Sequence, residues 1–192
     1  MTTATKPVVE KRLWKFTVSD YGRMIETGIL KKENRVELID GEVITMAPIG
    51  SRHAASVKRL NRLLMNRIGD DHIVGVQDPV DLNEYTEPEP DLTVAAARPD
   101  FYAEAHPRPS DIRLIIEVAD SSLAYDRYEK VPRYAQSMIP EVWLVDVQAE
   151  VVTVFSQPGP TGFADERKLS RGETITSDSV DGLQVKVDEV FG

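Results

Sequence analysis

Apolar residues recur in three rhythms along the chain, and each predicts a different element. Residues 112–116 (Ile-Arg-Leu-Ile-Ile) and 142–145 (Val-Trp-Leu-Val) are short, nearly unbroken apolar runs, the pattern of strands covered on both faces. Residues 17–30 place Tyr21, Met24, Ile25 and Ile29 on one helical face, with Thr17 or Ser19 able to open the helix. After the break at Pro48 and Gly50, Ala55, Leu60, Leu63, Leu64 and Ile68 form a second helical stripe over residues 52–68, with Ser51 as the expected cap. Period two appears in residues 35–46, where two alternating runs flank Asp40-Gly41. That pair suits the positive φ values of a type I′ turn and predicts a hairpin.

Weaker signals complete the outline. Residues 72–77, 80–82, 92–95 and 150–156 read as strands, and the three prolines within 98–110 mark a loop. Pro158, Gly159, Pro160 and Gly162 make a turn, and residues 174–176 and 183–187 read as short strands completing the sheet. Between the two buried runs lies a helical segment that Asp120, Ser121 or Ser122 can cap. Its face carries Asp126, Lys130 and Tyr134 at spacings of four. Pro132 either kinks this helix or sits in the first turn of one beginning near Glu129. A strand, an acidic residue at its end, a helix and a second strand form an α/β layout suited to an active site.

Composition narrows the class. The 192 residues, 41% hydrophobic and 29% charged, suit one domain over residues 17–192 behind a polar, flexible N-terminal tail over 1–16. No apolar run approaches the ~20 residues of a membrane span and the start lacks a secretory apolar core, so a cytoplasmic protein with no membrane partner is expected. With no cysteine there is no disulfide, thiolate metal site or cysteine nucleophile. A net charge of −9 argues against a broad electrostatic footprint on nucleic acid. A local basic face is still possible: Arg52, Lys58, Arg59, Arg62 and Arg67 crowd the second helix, either as a solvated face or as a phosphate-facing surface.

The candidate chemistry is carboxylate chemistry. Glu117 ends a buried run, where an ionised carboxylate needs a cation or hydrogen bonds. Asp91 stands at the entrance of the strand after Pro88 and Pro90. On neighbouring strands these two acids can share one hard cation such as Mg²⁺, with a backbone carbonyl and waters completing the shell; Mn²⁺ can substitute. Such a cation activates a water and offsets charge on a phosphodiester. Lys130 can orient that water, assist its deprotonation or stabilise the charged state, or it can simply pair with Asp126 four residues back. Glu37, flanked by Val36 and Leu38, faces away from both and is either a solvated strand residue or part of the site. His53 is either a hydrogen-bonded helix residue or a catalytic one. Tyr134 and Trp143 read as core or rim aromatics rather than base-stacking platforms.

Four stretches carry a family resemblance: RVELIDGEVITMAP with His53 soon after, EPDLTV, IIEVADSSLAYDRYEKVPRYAQSMIPEVWLVD, and the terminal VDEVFG. Over residues 17–192 the chain resembles the Uma-two family of restriction endonucleases, which have the PD-(D/E)XK nuclease fold. The resemblance implies a mixed central sheet flanked by helices, with an extra N-terminal hairpin and C-terminal strands. It makes Asp91 the acid of the PD motif, Glu117 the acid of the next motif and Glu37 an accessory acid. The general pattern puts a lysine two residues after the glutamate, where this chain has Ala119. In this family the lysine looks to have moved to the following helix, which makes Lys130 its replacement. The expected function is a Mg²⁺-dependent endonuclease acting on DNA through Asp91, Glu117 and Lys130, with Glu37 and His53 in support and Arg52, Lys58, Arg59 and Arg62 on the nucleic acid. Cutting both strands would call for a homodimer. The alternatives are a catalytically inactive nuclease fold used for DNA or protein binding, and a hydrolase of a small phosphorylated molecule.

Overall fold

The computed structural model describes residues 13–192. Its centre is a six-stranded sheet built on β5 (Ile112–Ala119), whose register places it between β4 (Leu92–Ala96) and β6 (Glu141–Asp146). β3 (His72–Val76) lies outside β4; β7 (Val151–Gly159) and β8 (Gly162–Leu169) follow β6, giving the order β3-β4-β5-β6-β7-β8. Only β5 and β6 run parallel; the other neighbouring pairs are antiparallel. The sheet is therefore mixed, as expected.

β5 is apolar throughout because both of its faces are covered. Leu114, Ile116 and Val118 pack with Val57, Leu60 and Leu64 of α2 (Ser51–Arg67). Ile115 and Ala119 pack with Val131 and Tyr134 of α4 (Val131–Gln136). Each fully buried Ile or Leu contributes about 1.5–3 kcal/mol. Strand alternation puts Glu117 on the α4 side, inside the strand rather than at its end as the sequence suggested.

A parallel pair needs a crossover, and this one carries α3 (Leu123–Tyr125), a π-helical turn (Asp126–Lys130) and α4. Pro132 lies in the first turn of α4, directly after the π turn. Ser122 occupies the cap position of α3, but its hydroxyl donates to the Asp126 carboxylate rather than capping backbone.

The N-terminal elements wrap one end of this sheet. α1 (Val18–Glu26) opens with a capping box between Thr17 and Asp20. β1 (Val36–Ile39) and β2 (Glu42–Thr45) form the expected hairpin, with Asp40 at φ 49° and Gly41 at φ 75°. Most of the expected tail lies outside the described residues; Phe16 N–H donates to the Gly41 carbonyl at 2.9 Å. Leu38 exchanges backbone hydrogen bonds with Glu87. The hairpin is thereby bound to the segment that delivers Asp91.

Several sequence expectations need correction. Gly50, not Ser51, is the N-cap of α2: its extended backbone (φ −80°, ψ 163°) precedes a Ser51 that is already helical. Residues 80–82 hydrogen-bond to residues 86–88 without forming a strand. β9 (Thr174–Thr176) and β10 (Gln184–Lys186) make their own two-stranded ribbon instead of completing the main sheet. β8 and the terminal helix α5 (Val187–Phe191) had no sequence prediction. Among the described residues, no helix is long and apolar enough to cross a membrane.

Candidate active site

The hairpin, the start of β4, the end of β5 and the π turn enclose a cleft of about 410 Å³. Leu92 pairs with Ile116 in the antiparallel register, so Asp91, one residue before, comes level with Glu117. Both acids line the cleft, together with Glu37, His53 and Lys130. All five sequence-predicted centre residues thus meet in one place.

Asp91 is held by three donors. Val118 N–H and His53 Nε2 each lie 2.9 Å from Oδ2, and the Gln77 amide donates to Oδ1 at 3.1 Å. Burial alone would push the Asp91 carboxyl up, but His53, with Val118 and Gln77, outweighs it and holds the group below the usual range. Because an ionised carboxylate only accepts, Nε2 of His53 carries the proton. Its Nδ1 is buried without a hydrogen-bond partner among the described residues.

Glu117 and Lys130 form a buried pair at 2.7 Å, and Tyr134 OH donates to the same Glu117 oxygen at 2.5 Å. Glu37 approaches Lys130 from the other side at 3.2 Å and accepts from Tyr125 OH and Glu89 N–H. Glu37 is therefore buried, not solvated. Burial pushes Glu117 up to about 8. Burial pulls the Lys130 ammonium down, yet Glu117, Tyr134 and Glu37 overcome that and hold it well above its ordinary value. These two tendencies compete, since a protonated Glu117 would lift Lys130 less. Lys130 also has Glu37 and Asp126 near it, so the ammonium keeps its charge and Glu117 is the group that takes up a proton. Of the roles considered for Lys130, proton acceptor is the one this environment opposes.

The donor chemistry fits a hard divalent cation. Among the described residues no three His, Asp or Glu groups close into a ready-made cage, so a cation would rest on two carboxylates, main-chain oxygen and water. Asp91 Oδ1 accepts only the Gln77 amide, and Glu117 Oε2 accepts no hydrogen bond among the described residues. Those oxygens retain free lone pairs.

The basic residues of α2 lie apart from the cleft. Arg52, Lys58, Arg59 and Arg62 are exposed, and at ~100° per residue they share one outer arc opposite Val57, Leu60 and Leu64. Gln77, Arg35, Glu89 and Tyr125 escaped the sequence reading; Asp126 and Tyr134 were noted only for helical spacing and core packing. Asp126 is buried beside Lys130, and burial raises its carboxyl.

Burial also raises Glu87, to about 7. Glu87 and Glu117 both have folded values above the ordinary 4.5, so their stabilising contribution is complete below that value and is lost as pH rises through 7 and 8. Asp91 is depressed below 3.8 and contributes uniformly across this window. The melting temperature is expected to fall between pH 5 and pH 8.5, with Glu87→Gln flattening the decline below pH 7. Calorimetric melts across that range test this, and a curve that rises with pH contradicts it.

A family model named Uma2 and described as "Putative restriction endonuclease" matches residues 18–188. Among solved structures, the chain is similar to one described as a putative nuclease belonging to DUF820 from Anabaena variabilis. The TM-score is 0.68 over 92% of this chain and 97% of that chain, at 14% sequence identity. At that identity the likeness concerns the fold. No curated protein matches the sequence.

Proposed function

The chain belongs to the Uma2 family, described as "Putative restriction endonuclease", and from that premise we propose that it hydrolyses DNA phosphodiester bonds with Mg²⁺ held by Asp91 and Glu117. The observation that carries this reading is the meeting of Asp91, Glu117 and Lys130 in one cleft although the lysine comes from the crossover helix. When bound, the cation would supply an activated water and neutralise charge on the phosphate. Mn²⁺ has similar oxygen preferences and is the natural substitute.

The chain's own groups have separable tasks. Gln77, His53 and Val118 N–H keep Asp91 ionised and aimed. Tyr134 and Lys130 orient Glu117. Lys130, as an ammonium, donates hydrogen bonds and stabilises negative charge developing on the attacked phosphate. Glu37 steadies that ammonium from the opposite side and is a positioning residue. The outer face of α2, with Arg52, Lys58, Arg59 and Arg62, would track flanking phosphates and make binding salt-dependent. One such centre nicks one strand; cleavage of both needs a two-fold pair.

A catalytically silent binding module is the second reading. It is favoured by a lysine already engaged by two carboxylates and by the excess of acids in the cleft. The two separate on supercoiled, linear and single-stranded DNA with Mg²⁺ or Mn²⁺. Asp91→Asn and Glu117→Gln should each lower nicking at least about a hundredfold, and calorimetry should show weakened Mn²⁺ binding. DNA retention without turnover in the wild type supports the silent module; equal nicking by wild type and both variants means a contaminant.

A further inference from the structure

Besides His53, two basic side chains line the cleft among the described residues, Arg35 and Lys130, and their circumstances are opposite. Lys130 is buried between Glu117 and Glu37. A substrate anion that drew it away would leave two buried acids without the cation between them, at a cost of several kcal/mol. Arg35 is half-buried and forms no hydrogen bond or ion pair through its side chain with any described residue; its charge is felt at Glu89. Arg133, on the neighbouring helix, shows the usual alternative: its guanidinium is committed to Asp40 and Glu129.

The backbone adds a second observation. Arg35 closes the open end of the hairpin, its carbonyl accepting from Met46 N–H at 2.8 Å, in the left-handed region at φ 44°. Glycine or asparagine takes that conformation more readily, and strained residues cluster where a side chain has a task. The cleft also needs such a group. Glu37, Glu89, Asp91, Glu117, Asp120 and Asp126 all line it, so an approaching phosphate meets mostly like charge.

We propose that Arg35 receives a phosphate of the substrate strand, its planar fork donating to two phosphate oxygens at the hairpin side of the cleft. This rests on the nuclease reading and adds to it the residue that holds the substrate. A guanidinium suits the task better than an ammonium, because its donors match phosphate oxygens pairwise.

The test is fluorescence polarisation of a labelled single-stranded and a labelled duplex oligonucleotide, with Ca²⁺ in place of Mg²⁺ and a series of NaCl concentrations. Arg35→Asn removes the charge while tolerating the left-handed backbone; Arg35→Lys keeps the charge and loses the fork. Arg35→Asn should weaken binding about ten- to a hundredfold and lower the salt slope by roughly one. Arg35→Lys should keep the slope and recover only part of the affinity. Mn²⁺ binding by calorimetry should be unchanged in both, showing an intact centre. An Arg35→Asn protein that binds with wild-type affinity and slope overturns the inference and leaves the nuclease reading standing. Wild-type protein that binds no nucleic acid at any salt overturns both.

Discussion

Lys130→Met is expected to cut nicking at least about a hundredfold and to lower stability by about 3–5 kcal/mol at pH 8. The size follows from what the ammonium holds apart. Glu117 and Glu37 are each within 3.2 Å of it and almost wholly buried, so its loss leaves two buried acids without the cation between them in a poorly solvated site. Part of the loss should disappear at pH 5.5. Glu117, already raised to about 8 with Lys130 in place, rises further without it, so the variant holds its proton across this range while the wild type begins to release it near pH 8. Denaturant midpoints at the two pH values measure this. A variant as stable as wild type at pH 8 would mean that the three groups do not meet as described. Nicking should fall by about a hundredfold or more, because a charge-stabilising donor in a dry site is worth several kcal/mol in the transition state.

Glu141→Leu should be comparably destabilising for a reason unrelated to chemistry. Glu141 is fully buried at the start of β6, and its carboxylate accepts from Trp143 Nε1, both serine hydroxyls of residues 177 and 179, and the N–H groups of Asp178 and Ser179. One side chain thus fastens the 177–180 turn, and the ribbon next to it, to the middle of the sheet. Leucine fills the space but orphans the Trp143 and Asp178 N–H groups outright and strips the two serine hydroxyls of their main acceptor, while Ser179 N–H keeps Ser177 Oγ at 3.2 Å; a buried group left unpaired costs about 1–3 kcal/mol. Allowing for water reaching some of them, a loss of about 3–5 kcal/mol is expected. Glu141 does not line the cleft, so the nicking rate per folded molecule should stay at the wild-type value. A drop in that rate with unchanged stability would show the reverse division of labour.

The features legible in the sequence are those whose signal is local. β5 and β6 announce themselves because both faces are covered, and the Asp40-Gly41 turn because few pairs tolerate two positive φ values in succession. Carboxylate chemistry groups Asp91, Glu117 and Lys130 as one centre, and the motif resemblance supports the same three. β8 was not visible: it is an edge strand with Asp165, Glu166, Arg167 and Lys168 along it, leaving Phe163 and Leu169 as its only bulky apolar residues. Glu37 shows the limit most clearly. Alternation puts it opposite Val36 and Leu38, but nothing local says that residues 87–89 and Tyr125 will cover that face. Gln77 and Arg35 were missed for the same reason, since an amide at a strand end and an arginine before a hairpin have no distinctive spacing.

The π turn before α4 holds one more residue than an α-helical turn, with Val131 N–H reaching back to the Asp126 carbonyl. Removing a single residue from this turn would restore ordinary winding and rotate everything on its far side by ~100°. The ammonium and Tyr134, both beyond the deletion, would then turn together away from Glu117. Changes of chain length here, more than changes of side-chain type, are what the centre can least absorb, and a relative lacking that extra residue would have to bring its cation from elsewhere.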